Sequence, residues 1–327
     1  VTLTGELLAD AAFPVSSAGY QALLDWVAGY GLIDRMGVEL TGSYGAGLAR
    51  HLRAAGVTVL EVNTADRATR ARRGKDDRTD AIAAAGKVLA GSASAIPKDT
   101  TGPVESLRLL HSARESAVKS RTQALNELQA VRTTAPASLR ETLPTTTGAL
   151  VTAAARLRPD TARLDEPEQA AKLALRRLAT RARQLTEEID AAESDIAALV
   201  QAVAPTLLAA TGVGPITAAI LLVAVGENFA RIRSESALAR LTGTAPIPVS
   251  SGKTHRHRLH RGGNRQANRA IHTIALTRLA HDPRTRAYRD RRLGEGLSKR
   301  DIMRSLKRAI VREIFRNLRT DLAHPET

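Results

Sequence analysis

The feature that most constrains this chain is a heptad seam in its middle. Leu175, Leu178, Ala182, Leu185, Ile189, Ala192, Ile196 and Leu199 follow one another at spacings of three and four residues. An apolar stripe that keeps this period over several heptads demands a long helix with a partner laid along it. A shorter stripe through Leu107, Leu110, Ala117, Ala124, Leu128 and Val131 predicts a second long helix. Pro136, Pro144, Pro159 and Pro167 interrupt the stretch between them, so Thr133 to Pro167 is read as a loop with short helices. The two long helices are expected to form an antiparallel hairpin or a dimerisation arm.

This coiled-coil region, residues 99–203, divides the chain into three. Residues 1–98 read as an α/β layer. Tyr20, Leu23, Leu24 and Val27 recur at helical spacing, Met36 to Leu40 is a short apolar run, and Gly42 and Gly45 open a helix carrying Leu48 and Leu52. Val57 to Val62 is rich in β-branched residues, and Asp76 to Leu89 is rich in alanine. Strand, helix and strand in this order predict parallel pairing. Residues 204–327 read as mostly helical. Leu207 to Val225 is a helix, a tight turn at Thr211 to Pro215 and a second helix, similar to a helix-hairpin-helix. Arg300 to Leu318 is a basic amphipathic helix.

Charge narrows the partners. The chain holds 48 Lys and Arg against 33 Asp and Glu, a net charge of +15. Such an excess favours polyanions, either nucleic acid or an anionic membrane surface. No apolar run reaches the ~18 residues of a membrane span. With no recognisable signal peptide, the chain is expected to be soluble and cytoplasmic. Cysteine is absent, which excludes disulfides and thiolate zinc sites. Aromatic residues make up only 2% of the sequence, too few for base-stacking platforms, so binding is expected to rest on phosphate contacts and to weaken with salt.

Three constellations carry possible chemistry. Gly212 and Gly214 lie in the turn between two apolar helices. They either expose backbone N–H groups to a phosphate or simply make a helical turn. The second begins at Ser250-Ser251-Gly252. From Lys253 to Arg269 it holds Lys253, Arg256, Arg258, Arg261, Arg265 and Arg269, with no acid. A run so charged is either a solvated face or a phosphate site. A serine beside it is either a turn residue or a nucleophile whose attack on phosphorus the cations assist. His255, His257 and His260 match no standard zinc spacing. The third is acidic. Glu39 sits in an apolar strand, and Asp77 and Asp80 share one face at a helix start. The aspartates either cap that helix or join Glu39 in holding Mg²⁺ or Mn²⁺.

Taken together, four segments resemble a known family. They are Glu39 to Gly45 (ELTGSYG), Gly74 to Ala81 (GKDDRTDA), Gly212 to Ala218 (GVGPITA), and Ser251 to Thr254 (SGKT) with Arg261 to Asn264 (RGGN). In this order they resemble the DEDD transposases of the insertion-sequence one-hundred-and-ten family. The resemblance implies a RuvC-like, RNase H-like fold for residues 1–98, with Glu39, Asp77 and Asp80 as metal-binding acids. It implies a C-terminal transposase domain whose serine, Ser251 with Ser250 as the alternative, forms a covalent link to DNA. It also implies a structured non-coding guide RNA that pairs with donor and target DNA, and a nucleoid-associated protein. The family's first aspartate lies in a Gly-Ile-Asp type strand that this sequence lacks, and Asp10 is not in that context. The N-terminal domain is therefore expected to be incomplete. Because metal and serine are distant in sequence, a homodimer or homotetramer joined through the coiled coil is expected. The alternatives are a metal-dependent junction-resolving nuclease and a decayed transposase that binds DNA or RNA without cutting.

Overall fold

The computed structural model describes residues 1–62, 77–251 and 254–323, without the side chains of residues 250, 251, 254–256 and 259. The chain divides into two compact units. One comprises Val1–Glu105 with Val225–Arg233, the other Ser106–Ala224 with Ser234–Thr327. No described helix is long and apolar enough to cross a membrane.

The first unit is built on a strand–helix–strand repeat. Helix α1 (Ser17–Ala28) is capped by Ser16, whose Oγ accepts from Gly19 N at 3.1 Å. Strand β1 (Arg35–Glu39), helix α2 (Ala46–Ala54) and strand β2 (Thr58–Val62) follow. The strands pair in parallel, from Arg35 opposite Thr58 to Glu39 opposite Val62. Side chains alternate along a strand. Val38 and Val59 accordingly face one way, where they pack with Leu24, Ala49 and Leu52. Gly37 and Val62 face the other way, towards helix α3 (Asp77–Leu89). A Cβ on Gly37 would lie 2.7 Å from Val88 Cγ2 and 3.2 Å from Ala84 O, so glycine lets the helix lie on the sheet.

A segment from far along the chain completes this unit. Glu227 Oε1 accepts from Val104 N at 2.8 Å, near the start of helix α4 (Pro103–Thr134). The Asn228 side chain accepts from Asp99 N (3.0 Å) and donates to Pro97 O (2.9 Å).

The second unit contains the expected hairpin. Most of α4 runs beside helix α7 (Pro167–Val203), joined through α5 (Ala137–Arg140), α6 (Thr147–Ala155) and a 3-10 turn at Thr161–Arg163. The pair is antiparallel. Arg114 Nε donates to Glu193 Oε1 at 2.9 Å, while Leu128 shares a core cluster with Leu175 and Ala179. The seam differs in detail from the sequence expectation. Leu175, Ala182, Ile189 and Ile196 are buried, but the residues buried beside them are Ala179 and Val200. Leu178, Leu185, Ala192 and Leu199 are half-buried. A straight helix at 3.6 residues per turn drifts from a 3.5 repeat, and α6 packs beside α7 as well, which widens the stripe.

The rest of this unit is helical apart from one ribbon. It comprises α8 (Pro205–Leu208), α9 (Pro215–Val225), α10 (Glu235–Leu241), β3 (Pro246–Ser251), β4 (Thr254–Leu259), α11 (Arg265–His281), α12 (Pro283–Gly294) and α13 (Lys299–Leu322). Buried Ile302, Ile310, Val311, Ile314 and Leu318 make one face of α13 a core stripe. The helix-hairpin-helix expectation needs correction at its first arm, because α8 is a single turn of four residues. Its N–H groups at Thr206 and Leu207 are satisfied by Asp321 at 3.1 and 2.8 Å.

Fully buried Leu128 and exposed Leu109 lie on the same helix. Leu128→Ala is expected to cost about 2–5 kcal/mol through lost burial and a residual cavity. Leu109→Ala should stay within about 0.5 kcal/mol. Urea unfolding of both variants checks the hairpin, and equal losses would contradict it.

Candidate nucleic-acid interface and acidic site

Glu39 is the last residue of β1 and is half-buried. The chain reverses directly after it. Leu40 takes a left-handed backbone (φ 54°), and its carbonyl accepts from Ser43 N (2.8 Å) and Gly45 N (3.0 Å). This return needs a glycine at position 45, because a Cβ there would stand 2.2 Å from Glu39 O. By strand alternation Glu39 shares the sheet face of Gly37, the face that α3 covers. Asp80 lies one helical turn before Ala84, on the stripe that meets Gly37. Asp80 is half-buried and Asp77 exposed. None of these three carboxylates has an ion pair or side-chain hydrogen bond among the described residues. Asp10 pairs with Arg78 at 2.9 Å. Asp76 lies outside the described residues.

Carboxylate oxygens are the donors that Mg²⁺ or Mn²⁺ takes. Among the described residues, however, no three His, Asp or Glu side chains are gathered closely enough to hold an ion.

The described part of the basic stretch has regular structure. It forms the β3–β4 ribbon and the start of α11. The register sets Ser251 opposite Thr254, Ser250 opposite His255, Val249 opposite Arg256 and Ile247 opposite Arg258. Ser251 is thus the last residue of β3. Gly252 and Lys253 lie outside the described residues, as do the side chains of Ser250, Ser251 and Arg256. Arg258, Arg261, Arg265 and Arg269 are exposed. Arg269 also approaches Glu115 of α4, at 3.5 Å.

Local packing explains the glycines and asparagine that follow the ribbon. Gly263 has φ 95°, and a Cβ there would stand 2.6 Å from Arg240 O. Asn264 donates its N–H to Leu241 O at 2.6 Å and caps α11 through Ala267 N at 3.0 Å. Gly262, Gly263 and Asn264 therefore fasten the ribbon and α11 to the end of α10. In the earlier turn, Gly212 (φ 78°) faces inward, with a built Cβ 3.2 Å from Ile274 O. Gly214 is exposed, and its N–H donates to Thr217 Oγ1 at 2.9 Å.

Several cationic residues escaped sequence reading. A cleft in the second unit is lined by Arg258, Arg284, Lys299, Arg300 and Lys307, among others. The basic pairs Lys299-Arg300 and Lys307-Arg308 were a visible signal, but their convergence on the ribbon depends on tertiary packing.

Two family models match parts of this chain. A family model for the DEDD transposase of IS110 type matches residues 1–134. Another, described as the transposase IS116/IS110/IS902 family, matches residues 204–290. Among curated relatives, the insertion element IS110 uncharacterized 43.6 kDa protein of Streptomyces coelicolor is 37% identical over 136 residues, covering 41% of this chain and 33% of that protein. The insertion element IS900 uncharacterized 42 kDa protein of Mycobacterium paratuberculosis is 32% identical over 126 residues, covering 38% of this chain and 32% of that protein. The matches thus span about a third of each relative's length. Both family models describe transposases. Two separate parts of the chain are thus similar to insertion-sequence transposases of IS110 type.

Gly45→Ala is expected to destabilise the protein by about 1–3 kcal/mol, because its Cβ meets backbone. Gly42→Ala meets open space and should change stability by less than about 0.5 kcal/mol. Thermal unfolding of the pair checks this, and an undisturbed Gly45→Ala protein would contradict the turn.

Proposed function

We propose that this chain cuts and rejoins DNA as an insertion-sequence transposase, with Ser251 as the nucleophile. The observation that carries the reading is the place of Ser251. It is the last residue of β3, directly before a stretch that holds six Lys and Arg and no acid from Lys253 to Arg269. A serine hydroxyl in so basic a stretch can attack a phosphate that the surrounding cations have already attracted.

The Ser251 Oγ attacks the phosphorus of a DNA phosphodiester. The Oγ–P bond forms, the P–O bond to one deoxyribose oxygen breaks, and the serine proton ends on that departing oxygen. The products are a phosphoserine ester and a free hydroxyl end. A hydroxyl from another DNA end then attacks the ester and releases the serine. Lys253, Arg256 and Arg258 stabilise the negative charge that grows on the phosphate oxygens. Arg261, Arg265 and Arg269 extend the phosphate contacts, and Gly212 shapes its turn.

The family resemblance alone supports the finer parts of the reading. These are a divalent ion at Glu39, Asp77 and Asp80, a structured guide RNA, and a homodimer or homotetramer.

Trapping on DNA carrying the element's ends, with the native guide RNA present, tests the nucleophile. Denaturing gels should show a covalent protein–DNA adduct that Ser251→Ala abolishes and Ser250→Ala leaves. Free hydrolysed ends with no adduct would favour a metal-dependent nuclease, and intact DNA would favour a protein that only binds. Assembly has its own check. Inactive Glu39→Ala and Ser251→Ala proteins, mixed, should regain part of the strand exchange if two copies build each site, and no rescue would rule out that sharing.

A further inference from the structure

A second cationic surface lies at the base of the ribbon. There β3–β4, α11, α12 and α13 enclose an open cleft of about 1730 Å³. Its lining carries nine Lys and Arg side chains against three carboxylates. Those carboxylates are already engaged within the fold. Glu313 receives both Nη groups of Arg278 at 2.8 Å. Asp301 takes Arg304 at 3.0 Å and Ser298 Oγ at 2.6 Å. Asp282 caps α12 and accepts from Thr285 Oγ1 at 2.6 Å. Arg258, Arg284, Lys299 and Arg300 have no ion-pair partner among the described residues.

Lys307 differs from these rim cations. It is half-buried, and burial lowers the pKa of its ammonium group. Its partner is a neutral amide oxygen, Asn268 Oδ1 at 2.7 Å. Asn268 is itself fixed, since its Nδ2 donates to Thr242 O at 2.7 Å. Beside it, Arg308 Nη1 is buried without a hydrogen-bond partner, while Nη2 reaches Glu235 at 2.9 Å. A partly buried cation without a counter-charge is costly, and an anion from outside relieves that cost.

We propose that this cleft holds the phosphodiester backbone of duplex DNA, with Lys307 as its fixed inner cation and Arg258, Lys299 and Arg300 as its rim. The inference rests on the reading of the chain as a DNA transposase, but it does not need Ser251 to be the nucleophile. A duplex is the occupant because Tyr288 is the lone Phe, Tyr or Trp of the lining, and single strands are held by stacking on several such rings. Phosphates spaced along a duplex instead suit cations arrayed on a ribbon and a helix.

The test is binding by the full chain carrying Ser251→Ala, so that cleavage plays no part. Fluorescence anisotropy follows a labelled DNA duplex between roughly 50 and 200 mM salt. Removing one cation that neutralises a phosphate lowers the slope of log affinity against log salt by about 0.9. Lys307→Gln should therefore lower it by about 0.9, and the double variant Lys299→Gln/Arg300→Gln by about 1.8. The control, Arg177→Gln/Arg183→Gln, removes the same charge from exposed positions on α7 and should leave the slope unchanged. Thermal melts confirm folding. If Lys307→Gln fails to fold, the exposed Lys299/Arg300 pair carries the test alone. Equal slopes for the cleft and α7 double variants would overturn the proposal. So would a slope decrease seen with duplex RNA and not with duplex DNA. A missing covalent adduct alongside a normal cleft effect would count against the serine reading only.

Discussion

Arg278 carries its charge into the interior of the second unit, with only 9% of the residue exposed. Its guanidinium donates to Thr211 O at 2.6 Å and, in fork geometry, to both oxygens of Glu313 at 2.8 Å. One side chain thereby ties the Gly212 turn, α11 and α13 together. Leaving one member of a buried pair without the other costs about 3–5 kcal/mol, more than most single packing contacts contribute. The position of the turn follows from this bond. Thr211 can present its carbonyl to Arg278 only if the next residue passes close to Ile274, and glycine at φ 78° permits that approach. Arg278 and Glu313 also line the cleft, so the same pair sets the separation of its walls.

The distribution of charge follows a related logic. Acidic side chains near the cleft are consumed internally by Arg278, Arg304, Ser298 and Thr285. What remains facing solvent is cationic. The acids of the first unit behave in the opposite way. Among the described residues, Glu39, Asp77 and Asp80 have no ion pair or side-chain hydrogen bond, while Asp10 takes up Arg78.

Much of the fold was legible because its elements obey simple periods. Val57 to Val62 announces β2 by β-branching, and Leu175 with Ile189 and Ile196 announces α7 by heptad spacing. The ribbon was not legible. Pro246 and Pro248 argue against a strand, and Thr254 to Leu259 is laden with His and Arg. A two-stranded ribbon has only edges, and edge strands tolerate proline. The motif Gly262-Gly263-Asn264 was visible, but its work is to fasten two elements, which only the approach of Gly263 to Arg240 reveals. On the acidic side, Glu39 and Asp80 could be placed by alternation and helical stripe. Whether a third carboxylate gathers with them is a matter of three-dimensional spacing that no sequence period encodes.

The segment Val225–Arg233 belongs to the first unit although more than a hundred residues separate it from Glu105. Its Glu227 and Asn228 satisfy backbone groups at Val104, Asp99 and Pro97 that otherwise lack these partners. This has a consequence for synthesis on the ribosome. At about 5–20 residues per second, roughly ten seconds pass between emergence of the α/β layer and arrival of the segment that closes it. During that interval the hairpin and α9 are made while the first unit waits unfinished. The order of folding is thus not the order of the sequence, and a fragment ending at Glu105 lacks part of its own unit.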